Sequence, residues 1–155
     1  MGAAVGVVVA AEDWDAPDGV RLRAAQRAEL DARYGSDDHE PGTPPTAADV
    51  SVFLVARDAG GRALGCGGLR LLEPGTAEVK RMYVEPAARG TGTAVDLLRA
   101  LEERARALGV RRLLLETGTL QPEAVRFYAR EGYERVEGFG PYAGQELSVC
   151  FGRDL

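Results

Sequence analysis

The chain has 155 residues, a hydrophobic fraction of 45%, a charged fraction of 28% and a formal net charge of −5. That length buries a core without disulfide or metal staples, and the composition excludes disordered, collagen-like and coiled-coil classes. The acidic balance argues against bulk affinity for nucleic acid and mildly favours a cationic or amine-bearing partner.

Val5 to Ala10 is a short β-rich run, ended by the turn-like stretch Asp13-Trp14-Asp15-Ala16-Pro17-Asp18-Gly19. Val20 to Tyr34 consists mostly of good helix formers and stops at Gly35. Ser36 to Pro45 holds three prolines, a glycine and three acids, so it reads as an exposed loop with His39 as a bystander. Val50 to Arg57, a turn at Asp58-Ala59-Gly60-Gly61 and Arg62 to Leu72 form a predicted hairpin. A further turn leads into Ala77 to Val84, which makes three antiparallel strands in a row.

The period then changes. Ala94, Leu98, Leu101, Ala105 and Leu108 recur at steps of 4, 3, 4 and 3, one face of a helix ended by Gly109. Arg99 with Glu103 and Glu102 with Arg106 are expected to pair on its wet face. Arg111 to Thr117 is a strand whose Leu113-Leu114-Leu115 run is covered on both faces. Pro122 to Arg130 is a short helix, and Tyr133 to Glu137 and Glu146 to Phe151 are two closing strands. The predicted architecture is one domain over residues 1–155, mixed α/β (α+β), with helices flanking a mostly antiparallel sheet.

No apolar run approaches the roughly 18 residues needed to cross a bilayer, so no membrane association is expected. Met1-Gly2-Ala3-Ala4-Val5 lacks the basic and apolar parts of a signal peptide. Cys66 and Cys150 have no metal-ligand spacing and sit in apolar strand-like runs. They read as buried free thiols, with a disulfide between them left open. These features point to a cytoplasmic protein without a metal.

One loop carries the functional argument. The strand Ala77–Val84 leads through Glu85-Pro86-Ala87-Ala88 into Arg89-Gly90-Thr91-Gly92-Thr93-Ala94, where a helix begins. Small residues let the backbone approach a ligand, and the first N–H groups of a helix have no internal partner. Such a turn suits a phosphate or pyrophosphate, to which Arg89 adds a charge. A Walker A loop would need Gly-Lys-Ser/Thr, which is missing; a dinucleotide loop would need glycine at 95, which is Val95. A turn that merely joins strand to helix stays open on the loop alone.

Arg89-x-x-Gly92-x-Ala94 resembles the GNAT acetyltransferase signature Q/R-x-x-G-x-G/A, at the matching place after a fourth strand. Glu78-Val79-Lys80-Arg81-Met82-Tyr83-Val84 before the loop and Gln121 through Tyr133 after it extend the resemblance, which covers about residues 50 to 151. It implies acetyl-CoA as co-substrate. The amides of Arg89, Gly90, Thr91, Gly92, Thr93 and Ala94 would hold its pyrophosphate. Backbone groups of Met82, Tyr83 and Val84 would meet the pantetheine arm as an added strand does, and an N–H near Val84 would polarise the thioester carbonyl. Gln121 stands where the family carries asparagine beside the cofactor.

Acetyl transfer to an amine needs a base, because an alkylammonium with a pKa near 10 is no nucleophile. Glu78, eleven residues before Arg89, occupies the position of a catalytic glutamate in several GNAT proteins. If it shares a face with Lys80 and Met82, alternate residues point the other way. Its other reading is a strand glutamate paired with an arginine or Lys80. Tyr128 matches the tyrosine of the family pattern N-x-x-A-x-x-x-Y-x-x-x-G-F/Y and is the candidate acid, or else a packing residue. Phe139-Gly140-Pro141-Tyr142, with Tyr34 and Trp14, offers candidate walls for the acceptor, chiefly Tyr34 and Tyr142.

The implied activity is direct transfer of an acetyl group from acetyl-CoA to the primary amine of a small molecule. Acetylation of a protein or peptide amine and acyl-CoA binding without turnover stay open, as does a homodimer paired through the last strand.

Overall fold

The structure, a computed structural model, describes residues 6–155. Seven strands and three helices run in the order β1 (Val8–Ala11), α1 (Pro17–Tyr34), β2 (Val52–Arg57), β3 (Ala63–Leu71), β4 (Thr76–Val84), α2 (Thr93–Ala107), β5 (Arg112–Gly118), α3 (Pro122–Arg130), β6 (Glu134–Val136) and β7 (Ser148–Asp154). The start of the first expected strand and the opening pentapeptide, Met1 to Val5, lie outside the described residues.

α1 begins at Pro17, inside the stretch expected to turn. The fixed φ of proline suits a first helical turn. Gly19 is there for closeness, since a Cβ would stand 2.7 Å from the Phe53 ring. Gly35 ends α1 at φ 70, as expected of a left-handed cap.

The strands form one mixed sheet in the order β1-β2-β3-β4-β5-β7-β6. Every pair is antiparallel except β4 with β5. The last strand runs past the expected Phe151 to Asp154 and lies between β5 and β6.

Alternate residues of β2 enter opposite cores. Leu54 and Ala56 pack with Leu97, Leu98 and Leu101 of α2 and Tyr128 of α3, whereas Phe53 and Val55 pack with Leu22 of α1. The expected wet face of α2 is not wet at Glu102. This residue is 1% exposed and accepts hydrogen bonds from Tyr133 at 2.7 Å, Arg99 at 3.0 Å and Arg153 at 3.1 Å. α3 and β7 fold over that side of the helix, which no local pattern announces.

β4 opens the sheet. Cys66 pairs with Tyr83 and Gly68 with Lys80, so β4 carries one extra residue at Arg81–Met82. Arg81 sits at φ 57, the one positive-φ residue besides glycine among the described residues. Bulges bend the strand that holds the extra residue. Here β4 pairs with β5 only from Thr76 to Val79, opposite Arg112 to Leu115, and then parts from it. The bulge also flips the alternation. Ala77 and Val79 face the α2 core, Tyr83 faces the α1 core, and Val84 and Met82 return to the α2 side. Met82 therefore does not share a face with Glu78 and Lys80, contrary to the expectation for a regular strand.

Candidate active site

The glycine-rich loop is shaped as a cradle. Gly90 and Gly92 adopt φ 78 and 89, which L side chains rarely tolerate, and space is open around both. Gly92 precedes the first turn of α2 without any side-chain cap, so the amides of that turn are left for a ligand. Thr91 is exposed but turns its hydroxyl back into the loop. Its hydroxyl donates to the Ala88 carbonyl at 2.5 Å and lies 2.9 Å from the hydroxyl of the buried Thr93.

A cleft of about 630 Å³ begins at this loop. Arg89, Gly90, Gly92 and Ala94 line one end, Met82, Tyr83 and Val84 run along its side, and Gln121 and Tyr128 stand at the far end. Arg33, Arg126 and Arg130 add positive charge to the walls. Arg89 itself is turned back: its Nε donates to the Val84 carbonyl at 2.9 Å and its Nη2 to Glu29 at 2.8 Å. Gln26 similarly donates to the Met82 carbonyl at 2.9 Å. Two carbonyls of the splayed strand are thus held by side chains.

Where β4 leaves β5, a second chamber of about 120 Å³ lies between the strands and α1. It shares Gln26, Leu30, Met82, Gln121, Ala124 and Tyr128 with the cleft. Its outer end meets a third hollow of about 710 Å³ through His39, Glu40 and Leu147, and that mouth carries Asp38 and Glu146. Cleft, chamber and mouth lie next to one another across the gap in the sheet, each sharing wall residues with the next.

A charged network frames the chamber. Glu78 is 2% exposed and lies 3.3 Å from Arg70 and 3.5 Å from Lys80, and it accepts a 2.5 Å hydrogen bond from the Tyr142 hydroxyl. Lys80 also donates to Tyr142 at 3.0 Å and to Glu40 at 3.1 Å. Glu40 takes both arms of Arg81, at 2.7 and 2.8 Å. This bidentate grip helps to hold Arg81 in its left-handed conformation. Burial pushes the Glu40 carboxyl up, but the hydrogen bonds of Arg81 and the charge of Lys80 prevail and bring it down to about 2.

Glu116 is different. It lines the chamber and accepts a 2.8 Å hydrogen bond from Ser148. Burial raises its pKa to about 7; Ser148 and Lys80 oppose the rise, and Glu40 and Glu78 add to it. Across the chamber Tyr128 is 7% exposed, and burial raises its phenol above the ordinary tyrosine value.

The structure gathers Met82, Tyr83, Val84, Arg89, Gly90, Gly92, Ala94, Gln121 and Tyr128 around one cleft, whereas the Thr91 and Thr93 side chains bond within the loop. Tyr34 lines the chamber, with its hydroxyl 3.3 Å from Gln121 Nε2. Gly118 makes room for it, since a Cβ there would overlap that hydroxyl at 1.6 Å. Tyr142 is 1% exposed and lies in the network beneath Glu78, not on the chamber wall. Glu78 does not line the chamber either. Trp14 packs on Phe53 and against the Arg23 guanidinium and does not itself line the chamber. His39 is no exposed bystander: its side chain is 6% exposed, stacks on Tyr34 and lies 2.6 Å from Asp31.

The sequence reading did not single out Glu116, Glu40 or Arg81 as site residues. Glu116 left a signal. An acid that directly follows Leu113-Leu114-Leu115 on a strand covered on both faces must either leave the sheet or face a cavity. The αL conformation of Arg81 left none, because nothing local favours arginine there.

The profile described as "Acetyltransferase (GNAT) family" matches residues 11–133. The chain belongs to that family. As a GNAT protein it is an acyltransferase, and its sheet and helices match those of GNAT acyl-CoA N-acyltransferases. A Klebsiella pneumoniae structure described as an acyl-CoA N-acyltransferase superposes with a TM-score of 0.82 at 33% identity, over 98% of this chain and 99% of that one. A GNAT family acetyltransferase from Elizabethkingia anophelis, solved with acetyl-CoA bound, shares the fold at TM-score 0.70 and 15% identity, over 96% and 98% of the two chains. An "IAA acetyltransferase" of Azospirillum brasilense is 42% identical over 66% of this chain and 67% of its own length. An "L-methionine sulfoximine/L-methionine sulfone acetyltransferase" of Pseudomonas aeruginosa is 36% identical over 66% of this chain and 59% of its own length. Both cysteines of the GNAT chain are buried and free, and no helix among the described residues is long and apolar enough to cross a membrane.

Proposed function

We propose that this GNAT acyltransferase moves an acetyl group from acetyl-CoA directly to the primary amine of a small molecule. The observation that carries the reading is the meeting of the cleft and the chamber at Met82, Gln121 and Tyr128, inside the gap between β4 and β5. The cleft fits acetyl-CoA: uncapped amides and two open glycines suit a pyrophosphate, and arginines suit its charge. When bound, acetyl-CoA supplies a thioester carbonyl as electrophile and a thiolate as leaving group.

The chamber supplies the rest. Glu116 is the proton acceptor we assign, in place of Glu78. A carboxylate whose pKa lies near 7 accepts a proton close to neutrality, whereas Glu78 is occupied by Arg70, Tyr142 and Lys80. Glu116 takes one proton from the arriving ammonium, the neutral amine bonds to the acetyl carbon, and the proton still in excess on that nitrogen passes to the sulfur that departs as CoA thiol. The carbon–sulfur bond then breaks, and Tyr128, kept protonated by burial, hydrogen-bonds the departing sulfur. Glu78 positions Lys80 and Tyr142 beneath the chamber. Amides near Val84 hold the carbonyl oxygen.

A chamber of about 120 Å³ admits the reacting end of a small acceptor, and the acids Asp38, Glu40 and Glu146 at the mouth favour an approaching ammonium. The names of the Azospirillum and Pseudomonas relatives also support a small-molecule acceptor. We place the reaction in the cytoplasm and the activity in one domain. The test is thermal: acetyl-CoA at 100 times its Kd should stabilise the protein by about 2.7 kcal/mol. NADH and ATP should not. Release of CoA thiol with a panel of amines should follow. No shift at millimolar acetyl-CoA would overturn the assignment.

A further inference from the structure

We propose that Arg23 makes the chamber select acceptors that carry a carboxylate besides the amine. This deepens the acetyl-transfer reading and rests on it. Arg23 projects from α1 on the face that also carries Gln26, Leu30 and Tyr34, and all four line the chamber. The other cations there are committed. Arg81 is held by both Glu40 oxygens, Lys80 bridges Glu40 and Tyr142, and Arg27 lies 3.4 Å from Asp31 and donates to the Asp37 carbonyl.

Arg23 alone among these four is uncommitted. Its Nη1 is buried and has no hydrogen-bond partner among the described residues. That nitrogen is packed beside Gly19, where a Cβ would stand 3.3 Å from it, so a carboxylate in the chamber would meet the remaining nitrogens of the guanidinium. The group does not wander, because the guanidinium carbon lies 3.6 Å over the Trp14 ring and 5.1 Å from the Phe53 ring centre. Burial lowers the Arg23 pKa, yet an arginine stays charged at any physiological pH.

The charge balance points the same way. Arg23, Arg27, Lys80 and Arg81 line the chamber against two acids, Glu40 and Glu116, and Glu40 is shared by Arg81 and Lys80. An amine alone would add positive charge to a chamber already in excess. An acceptor with both groups satisfies each end: its carboxylate meets the forked donors of Arg23, and its amine faces Glu116. The acceptor class is therefore an amino acid or a related amine with a free carboxylate.

The experiment compares L-methionine, L-leucine and L-glutamate with their α-carboxamides at saturating acetyl-CoA. Wild-type protein should favour at least one free acid over its amide by about tenfold or more in kcat/KM. Arg23→Gln should erase that preference by raising KM for the free acids, and Arg23→Lys should restore part of it. Equal use of acids and amides by the wild type overturns the proposal, as does a preference that survives Arg23→Gln. If acetyl-CoA stabilises the protein but no amine is acetylated, the transfer reading fails separately. Calorimetric titration of the three amino acids and their amides into the CoA complex then decides on Arg23: binding that needs the carboxylate supports it, and binding indifferent to the carboxylate, or none, overturns it.

Discussion

Glu102 and Glu116 are two carboxylates drawn away from water by the same sheet, and their surroundings treat them in opposite ways. Glu102, on α2, receives Arg99, Arg153 and the Tyr133 hydroxyl. Glu116, one residue beyond the point where β5 leaves β4, receives Ser148 and lies within the influence of two other carboxylates, Glu40 and Glu78. Burying a charge is costly unless partners replace the lost water. The first site is saturated with donors and braces α2 against β7. The second is short of donors, so its proton is loosely decided near neutral pH, which is how a proton-transferring group is made.

The largest expected effect breaks the saturated site. Glu102→Ala leaves the buried Tyr133 hydroxyl without its acceptor and empties a fully buried site, and should cost about 2–4 kcal/mol in urea denaturation. The pH dependence of the activity that remains should keep its shape, because Glu102 lies outside the chamber. Glu116→Gln should do the reverse. Turnover is expected to fall about 10²- to 10³-fold, and the rise of kcat/KM with an inflection near pH 7 should disappear.

Stability gives Glu116→Gln an independent sign. The carboxyl titrates near 4.5 when unfolded and near 7 when folded, so the native state binds the extra proton between those values. Wild-type stability therefore falls as pH rises through that window. The variant should match wild type below about pH 4.5 and exceed it by on the order of 1–3 kcal/mol at pH 9. A variant with lower stability at pH 9 would contradict the assignment. A smaller effect belongs to Tyr128→Phe, which removes a hydroxyl at the junction of chamber and cleft. It should lower kcat about tenfold while the acetyl-CoA Kd stays within about twofold of wild type, as stopped-flow and calorimetric titrations would show.

The same contrast explains what the sequence discloses. The α3 boundaries, the β2–β3 hairpin and the glycine cradle depend on turn chemistry and period within a few residues, and these were legible. Two of the donors around Glu102 arrive from far along the chain, Tyr133 after α3 and Arg153 on β7, so its i,i+4 spacing suggested a wet face instead. Glu116 faces the chamber just where β4, bulged at Arg81, has parted from β5, and Arg81 is held there by Glu40 from a loop about forty residues away. The stacking of His39 on Tyr34 is long-range in the same sense: proline and acid mark a loop but not where it folds back. Chemistry borne by backbone turns was therefore readable, and chemistry borne by burial was not.

Arg89 and Glu29 supply the exposed counterpart to both buried sites. Their side chains keep 42% and 31% exposure, so the 2.8 Å pair between them is solvated and adds little to stability, about 0–1 kcal/mol. Its weight should fall on acetyl-CoA instead. Arg89 faces two claimants, the Glu29 carboxylate and an incoming phosphate, and it cannot serve both with the same nitrogen. Glu29→Gln should release it and tighten acetyl-CoA binding about two- to threefold, whereas Arg89→Gln should weaken binding about three- to tenfold. Neither change should move the melting temperature of the free protein by more than a few degrees. Opposite signs at the two ends of one ion pair would mean that the pair competes with the cofactor. Weakening at both ends would mean that Glu29 aims Arg89 into the cleft, and the salt dependence of the Kd would separate these cases further, because an exposed charge contact to phosphate weakens as salt rises.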